Sequence, residues 1–416
     1  MTARGTIRVP GDKSISHRAL ILAALADGQS RISDILESAD VNSTAAVLRS
    51  LGVAVPDLSA SFTLAGKGLR GLRAPGTTLD AGNSGTTVRL MSGVAAAHPF
   101  SSRFQGDESL SRRPMKRVAE PLSAMGARFD FARGDGLPMT IHGGELHGIS
   151  WNTRSASAQT KSAILLAGLC AGVQVTVIES AKSRDHTERM LASLGAPVEI
   201  DDVAVSLSPV TSIAPLELTV PGDPSSAAYF IAYAALSGSD VEMPGVCVNN
   251  TRIGFIDAMM QMGARIDMED RAAVAGDAVA TVVAQRSQLS DFTIAPAAVP
   301  SMIDELPLVA CVAAQAGITL EVTGARELRV KESDRISVVA RNLKAIGARI
   351  DELPDGFVVR PGPATFSGSV TTEGDHRIAM SFGVLAALPG NAIDIDNPGC
   401  VAVSYPRFWE DLNSLR

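Results

Sequence analysis

The chain has 416 residues and a formal net charge of −7, and 46% of its residues are hydrophobic although only 4% are aromatic. That length exceeds one ordinary core, so two domains of roughly 200 residues each are expected. The acidic balance argues against nucleic acid and anionic membranes as partners, because a basic face marks proteins that bind them. An anionic ligand would therefore need a local cluster of cations.

The first residues carry no apolar signal region, and the longest apolar run, residues 163–178, is interrupted by Gly168, Gly172 and Gln174. The four cysteines match no metal or redox spacing. We expect a soluble, cytoplasmic protein whose cysteines are reduced thiols.

The first predicted helix follows the turn signal Pro10-Gly11. Its apolar residues recur at helical spacing through residue 25, and Lys13, Ser14 and Arg18 lie at its start. The free N–H groups and the macrodipole at a helix N-terminus favour an anion. The pattern indicates an anion-binding helix start.

This design recurs along the chain. Each copy has small and polar residues at a helix start, an Ala/Leu-rich helix and a short Val/Ile strand. The six copies are residues 12–32, 83–104, 157–177, 223–241, 304–322 and 375–395. Most copies add a second helix that ends in a glycine suited to a left-handed C-cap. Each copy is therefore a small α/β subdomain.

A larger repeat is also present, because Val-Pro-Gly-Asp at residues 9–12 returns at residues 220–223. We predict two globes of three copies each. The first globe comprises residues 10–221, and the second comprises residues 1–9 and 222–416. Crossovers near Pro10 and Pro221 would let the globes close on a ligand in the cleft between them.

Cations recur at the helix starts and would form a focused polyanion site if they meet. They include Lys13, Arg18, Arg89, Arg113, Lys161, Arg184, Lys331, Arg335 and Arg377. Two carboxylates, Asp304 and Glu332, lie among them and are candidates for general acid-base catalysis. The alternatives are a helix-start carboxylate for Asp304 and an ion pair with Arg335 for Glu332.

Five motifs together are similar to those of the 5-enolpyruvylshikimate-3-phosphate synthase family, and the resemblance covers essentially the whole chain. The motifs are residues 11–18, 82–89, 157–161, 329–335 and 375–380. The resemblance implies an inside-out α/β barrel in each of two globes, built from six βαβαββ-type repeats. It also implies enolpyruvyl transfer from phosphoenolpyruvate to the 5-hydroxyl of shikimate 3-phosphate, in the chorismate pathway to aromatic amino acids. No cofactor or metal is expected, and we expect a monomer.

The resemblance assigns residues by their motif positions. For shikimate 3-phosphate it implies Lys13, Ser14, Arg18, Ser157, Ala158, Gln159, Arg184, Asp304 and Lys331. For phosphoenolpyruvate it implies Lys13, Gly85, Arg113, Gln159, Arg335 and Arg377. As catalytic residues it implies Asp304, Glu332, Lys331 and Lys13.

In the implied mechanism Asp304 accepts the 5-hydroxyl proton, and Glu332 with Lys331 handles the proton at the methylene carbon. Addition gives a tetrahedral intermediate, and phosphate is then eliminated.

Members of the family often place a phosphoenolpyruvate-binding Lys where this chain has Val403. Residues 157–161, 184–188 and 249–252 are similar to the class II, glyphosate-tolerant branch of the family. Gly85 is instead the smaller residue of sensitive enzymes, so we predict intermediate to high tolerance.

Two other functions remain open. The first is the carboxyvinyltransferase that acts on UDP-N-acetylglucosamine, which typically has Lys-Asn in its first motif and a reactive Cys in a loop. This chain instead has Lys13-Ser14 in the first motif, and it has no Cys in residues 104–114. A non-enzymatic repeat protein that binds anions would need the cations but neither Asp304 nor Glu332.

Overall fold

The computed structural model describes residues 4–416, and these form two compact α/β units. The first unit comprises Gly11–Val220 and Val274–Asp277. The second unit comprises the residues up to Pro10, Pro221–Ala273 and Ala278–Arg416.

The described chain contains both helices and strands, which we number in chain order. The helices are α1 Lys13–Leu25, α2 Ala39–Ser50, α3 Gly85–Ala96, α4 Glu108–Ser111, α5 Lys116–Ala124, α6 Ala158–Ala171, α7 His186–Ser193, α8 Pro224–Ser237, α9 Gly254–Gln261, α10 Val299–Met302, α11 Leu306–Ala316, α12 Arg335–Ala345, α13 His376–Ala387 and α14 Phe408–Asn413. The strands are β1 Arg4–Thr6, β2 Gln29–Ser33, β3 Ser61–Ala65, β4 Leu79–Asp80, β5 Ser101–Gln105, β6 Arg128–Phe131, β7 Met139–His142, β8 Ile149–Asn152, β9 Val175–Ile178, β10 Val198–Asp201, β11 Ala204–Leu207, β12 Glu217–Thr219, β13 Asp240–Cys247, β14 Arg265–Val274, β15 Asp277–Gln285, β16 Phe292–Ile294, β17 Leu320–Val322, β18 Arg349–Leu353, β19 Gly356–Arg360, β20 Ser367–Val370 and β21 Ala392–Ile395.

The first unit carries three sheets, with strand orders β12-β2-β3, β4-β5-β7-β6 and β10-β11-β9-β8. Each contains one parallel pair, and the remaining neighbours are antiparallel. Strand β2 alternates in burial, with Ile32 opposite Phe62 of β3 on the inner face. Alternation of this kind is typical of a sheet with one face on a core and the other in solvent.

Helices α1, α3 and α6 form the centre of the first unit. They are apolar nearly all round and almost entirely buried, as expected of helices surrounded by other elements. Helix α3 approaches α6 closely at Gly93, where a Cβ would lie 2.1 Å from the Ala163 carbonyl oxygen. Glycine is required there because a side chain would overlap the backbone of the neighbouring helix.

The second unit repeats this design with sheets β1-β13-β15-β14, β16-β17-β19-β18 and β20-β21. Its central helices are α8, α11 and α13, which contact one another and are buried along most of their length. The sheets therefore lie outside the helices in each unit, as the fold class predicted.

Local signals correctly predicted the ends of many helices. The side chains of Asp12, Ser84, Ser157 and Asp375 each accept a hydrogen bond from a backbone N–H in the first turn of α1, α3, α6 and α13. The glycines after the second helices have positive φ, for example +88° at Gly52. These features depend on neighbouring residues only, which is why the sequence reveals them.

Two of the six repeats are shorter than βαβαββ in the described chain, which corrects the uniform pattern that we predicted. The repeat of β12, β2 and β3 has no strand in residues 53–60. Pro56 lies there and has no N–H for a ladder, while Arg49 donates to the Val55 and Pro56 carbonyls at 2.7 and 2.5 Å. The repeat of β20 and β21 has no antiparallel strands; a 3-10 segment, Pro398–Val403, and α14 follow it.

Within residues 4–416, no single helix has both the length and the hydropathy of a membrane span. The segments Pro296–Met302 and Leu306–Ala316 have that length and hydropathy only when they are taken together, and the chain bends by 107° between them.

Candidate active site

In the first unit, side chains at the starts of α3 and α6 bind each other. Arg89 of α3 donates to Gln159 Oε1 of α6 at 2.6 Å, and Gln159 Nε2 donates to Thr86 Oγ1 at 2.9 Å. Ser157 caps α6, and Ala158 is its first residue. The bonds fix Gln159, a predicted ligand of both substrates, against the start of α3.

Gly85 lies among arginine side chains. A Cβ at this position would lie 3.1 Å from Arg89 Nη1 and 3.4 Å from Arg113 Nη1. Arg113 Nη2 donates to Asn83 Oδ1 at 3.0 Å, and both arginines are buried. The absence of a side chain at Gly85 therefore leaves two guanidinium groups beside the backbone of a helix start, where an anion would bind.

Lys13 and Arg18 have contrasting partners. Lys13 Nζ forms an ion pair with Asp40 at 3.1 Å. The Arg18 guanidinium is buried and donates to three neutral oxygens: Thr187 Oγ1 at 2.6 Å, Ser162 Oγ at 2.7 Å and the Ser14 carbonyl at 2.9 Å.

Burial lowers the pKa of Arg18 to about 10, a shift that nearby Arg184 favours and nearby carboxylates oppose. A buried cation whose direct partners are neutral is stabilised when an anion binds it. The effect of Arg184 on this pKa shows that the two cations are close enough to interact electrostatically.

Lys161 differs from what we expected of the cations at helix starts, because its charge is already paired within the protein and is not open to an anionic ligand. Its Nζ lies 2.6 Å from both Glu179 Oε2 and Glu188 Oε1, and all three side chains are about 1% exposed. Although burial opposes the shift, the two carboxylates raise the pKa of Lys161. Burial raises the pKa of Glu188, against the effect of Lys161. The lysine joins α6 to α7 and is a structural cation.

In the second unit, Arg335 is the centre of a cluster of charges. Its Nε donates to Asp375 Oδ2 at 2.8 Å, its Nη1 to Asp304 Oδ1 at 3.0 Å and its Nη2 to Glu332 Oε2 at 2.7 Å. Although burial opposes the shift, Asp375, Glu332 and Asp304 together raise the pKa of Arg335. Lys331 Nζ also binds Asp304 Oδ1, at 3.2 Å.

The two alternatives for the carboxylates have different outcomes. Asp304 does not cap α11, whose N-cap residue is Glu305, and its oxygen binds Lys331 and Arg335 instead. Glu332 does form the ion pair with Arg335 that its spacing allowed. Asp304 is therefore held by two cations of the cluster and not by the N-terminus of α11.

Arg377 is buried at the start of α13 and lies 3.6 Å from Glu305 Oε1. Although burial opposes the shift, Tyr229 and the carboxylates of Asp304, Glu305 and Asp223 raise the pKa of Arg377. Arg377 therefore lies in the same charged region as Asp304. Val403 ends a 3-10 segment and supplies no cation.

The sequence missed several partners of the predicted residues. Asp375 lies at the start of the motif at residues 375–380 and is recognisable as an N-cap, but its ion pair with Arg335 spans 40 residues. The pairing of Asp40 with Lys13 spans 27 residues and has no local signal. Among residues 4–416, no group of three His, Cys, Asp or Glu side chains could hold a metal ion.

These observations define a class of protein: an α/β protein with repeated helix starts that carry buried cations, together with carboxylates held by cations. Comparison with known proteins makes this specific. The family model for EPSP synthase (3-phosphoshikimate 1-carboxyvinyltransferase) matches residues 2–412.

Individual relatives agree with the family model. A 3-phosphoshikimate 1-carboxyvinyltransferase from Sulfurihydrogenibium sp. is 46% identical over 418 residues, which cover 99% of this chain and 97% of the relative. One from Bacillus subtilis is 42% identical, with 100% and 97% covered. The solved structure of EPSP synthase from Acinetobacter baumannii has a TM-score of 0.87 and 39% identity, with 100% of this chain and 96% of that chain covered.

The chain belongs to the EPSP synthase family. This confirms the resemblance that the five motifs indicated, the fold class and the assignment to carboxyvinyl transfer. The sister enzyme and the non-enzymatic binding protein are accordingly not supported.

Proposed function

We propose that this chain transfers the enolpyruvyl group of phosphoenolpyruvate to the 5-hydroxyl of shikimate 3-phosphate with the residues that its motifs assign. The observation that carries the proposal is the geometry at Asp304, whose Oδ1 lies 3.0 Å from Arg335 Nη1 and 3.2 Å from Lys331 Nζ. A carboxylate that lies within hydrogen-bond distance of a lysine is placed to accept a proton and pass it on.

Shikimate 3-phosphate is bound by Lys13, Ser14, Arg18, Ser157, Ala158, Gln159, Arg184, Asp304 and Lys331 in this proposal. Arg18 supports the assignment best. Its guanidinium is buried and bonded to neutral oxygens, so a bound phosphate would stabilise its charge. Ser157 and Ala158 contribute the start of α6, where backbone N–H groups face an anion.

Phosphoenolpyruvate is bound by Lys13, Gly85, Arg113, Gln159, Arg335 and Arg377 in the same proposal. The bare backbone at Gly85 beside two arginines suits a phosphate. Arg335 suits a carboxylate, since it already binds three of them. A substrate carboxylate there would displace Asp304 or Glu332 and so free that side chain for proton transfer.

The proton steps are divided among three residues. Asp304 accepts the 5-hydroxyl proton as the oxygen attacks C2 of phosphoenolpyruvate, and this proton leaves with the departing phosphate. Glu332 and Lys331 handle the proton at the methylene carbon: the Lys331 ammonium holds the proton that is added, and the pair takes one back from the methyl group when phosphate leaves. The cations at Lys13, Arg113 and Arg335 stabilise the phosphate and carboxylate charges of the tetrahedral intermediate.

We also propose that the protein acts as a cytoplasmic monomer whose partners are these two small molecules. The acidic net charge of −7 supports a set of partners that does not include nucleic acid. Light scattering on purified protein gives the oligomeric state, and a mass near twice 43.2 kDa would contradict the monomer.

Phosphate release from phosphoenolpyruvate, measured with and without shikimate 3-phosphate, tests the proposal. We expect release only when shikimate 3-phosphate is present. Release that requires UDP-N-acetylglucosamine would instead identify the sister activity, and tight binding of both substrates without release would indicate a binding protein.

A further inference from the structure

A chain of buried side chains in the first unit joins α1, α2 and α3. His17 Nδ1 lies 2.7 Å from Thr44 Oγ1, which lies 2.7 Å from Thr87 Oγ1. Thr87 Oγ1 in turn donates to Ser84 Oγ at 2.8 Å. All four side chains are fully buried, and none of them has a role in the proposed mechanism.

The far end of this chain is the N-cap of α3. Ser84 Oγ accepts the Thr87 N–H at 3.2 Å, and Gly85 follows directly. The middle of the chain lies on α2, where Thr44 is one turn from Asp40, the partner of Lys13 at 3.1 Å. The same helix therefore contacts both Lys13 and the start of α3.

The direction of the hydrogen bonds follows from His17. Burial, with Lys13 and Arg18 nearby, lowers the pKa of His17 well below its usual value, so the imidazole is neutral. A neutral imidazole has one donor and one acceptor nitrogen. Nε2 is buried with no hydrogen-bond partner, and a buried N–H without an acceptor is rarer than an unpaired acceptor.

We propose that His17 is a positioning residue that holds its proton on Nδ1 and donates it to Thr44, which donates to Thr87, which donates to Ser84. This relay fixes the start of α3 relative to Lys13. It thereby sets the spacing between the Gly85 backbone and the Lys13 ammonium, and with it the affinity for phosphoenolpyruvate.

The relay affects one substrate more than the other because α1 has a second attachment. Arg18 binds Ser162 of α6 and Thr187 of α7 independently of the relay. Loss of the relay therefore displaces the start of α3 rather than α1. The inference rests on the proposed assignment of Lys13 and Gly85 to phosphoenolpyruvate.

Thr44→Val tests the relay because it removes the central hydroxyl and preserves the shape of the side chain. We expect the KM for phosphoenolpyruvate to rise about tenfold, while kcat and the KM for shikimate 3-phosphate change less than about twofold. Thr44→Ser restores the hydroxyl and should return the KM to within about twofold of wild type.

Ser92→Ala is the matched control, since Ser92 is buried on α3 and its hydroxyl donates to Val88 of the same helix. A purely structural role for Thr44 would lower the melting temperature and leave the ratio of the two KM values unchanged. That result, or an equal rise in both KM values, would overturn the inference.

The tautomer of His17 provides a test that needs no activity. In protein labelled with 15N-histidine at pH 7.5, the signal that disappears in His17→Asn should belong to a neutral ring protonated at Nδ1. A ring protonated at Nε2 would refute the relay even if Thr44→Val failed to fold. If the wild type releases no phosphate with shikimate 3-phosphate, the proposed function fails, whereas the tautomer still decides whether the relay exists.

Discussion

Arg18 in the first unit and Arg335 in the second are both buried, yet their surroundings are opposite. Arg18 donates to two hydroxyls and a carbonyl, and burial lowers its pKa to about 10. Arg335 binds three carboxylates, which together outweigh burial and raise its pKa. Around Arg18 the first unit therefore holds positive charge that an anion can neutralise, whereas around Arg335 the second unit holds carboxylates in place beside cations. The comparison suggests a division between binding a phosphate and moving protons.

Asp304→Asn tests the second half of this comparison, which assigns proton transfer to the carboxylates around Arg335. The amide keeps the shape of the side chain but cannot accept the proton, so we expect kcat to fall about 10²- to 10⁴-fold while both substrates still bind. Steady-state release of phosphate gives kcat and both KM values. Full turnover with normal binding would rule out Asp304 as the base. Asp351→Asn on β18 is the control, because Asp351 is exposed and pairs with Arg360.

Lys161→Met sharpens the comparison, since Lys161 is a cation of the first unit that resembles Arg335 in its partners. The substitution leaves Glu179 and Glu188 buried without their ammonium, and we expect a loss of about 3–5 kcal/mol in the free energy of unfolding. Urea denaturation measures it. Arg341→Met removes an exposed pair with Glu373 and should cost at most about 1 kcal/mol. Similar losses in the two variants would contradict a structural role for Lys161.

Arg18→Lys tests the first half of the comparison. A lysine keeps the charge but cannot reproduce the guanidinium bonds to Thr187, Ser162 and a phosphate. We expect the KM for shikimate 3-phosphate to rise about 30- to 100-fold, with a smaller effect on phosphoenolpyruvate. The half-exposed Arg49→Lys is the control. An unchanged KM would show that Arg18 does not bind this substrate.

The pH dependence of stability tests the neutral state of His17. Its folded pKa lies below the unfolded value near 6.5, so the unfolded state binds more protons in that window. The contribution of His17 to the free energy of unfolding is therefore fully present above pH 6.5. It is lost as the pH falls toward the folded pKa, by at most about 1.4 kcal/mol per pH unit.

Urea denaturation at pH 7.5 and 5.5 should show a smaller loss for His17→Asn than for wild type. Burial also lowers the pKa of His98, so part of the loss should persist. The exposed His147→Asn is the control. An identical loss in His17→Asn and wild type would contradict the shift.

Gly85→Ala should have the smallest effect. The added Cβ meets the guanidinium ends of Arg89 and Arg113 at 3.1 and 3.4 Å, so the Arg89 side chain must shift by a few tenths of an ångström. We expect a stable protein whose KM for phosphoenolpyruvate rises about threefold to tenfold. Unchanged kinetics would place the substrate elsewhere. Inhibition of the wild type by low micromolar glyphosate would separately contradict the tolerance that the sequence predicts.

The sequence by itself determined the features that depend on neighbouring residues. Apolar spacing gave the central helices, N-cap residues such as Ser84 gave their starts, and glycines such as Gly52 gave the ends of second helices. The recurrence of these signals gave three subdomains per unit. The motifs gave the family, because five in order over one chain are specific.

Only the tertiary structure decided how charges that are distant in the sequence are paired. Arg18 and its partner Thr187 are 169 residues apart, and Arg335 and Asp375 are 40 apart. Sequence patterns treated Lys161 as equivalent to Lys13, but the fold buries Lys161 between two glutamates. Helix starts follow from short-range hydrogen bonds, whereas the environment of a charge depends on which distant elements pack around it. That is why the residues of the candidate site were recognisable from sequence and their electrostatic states were not.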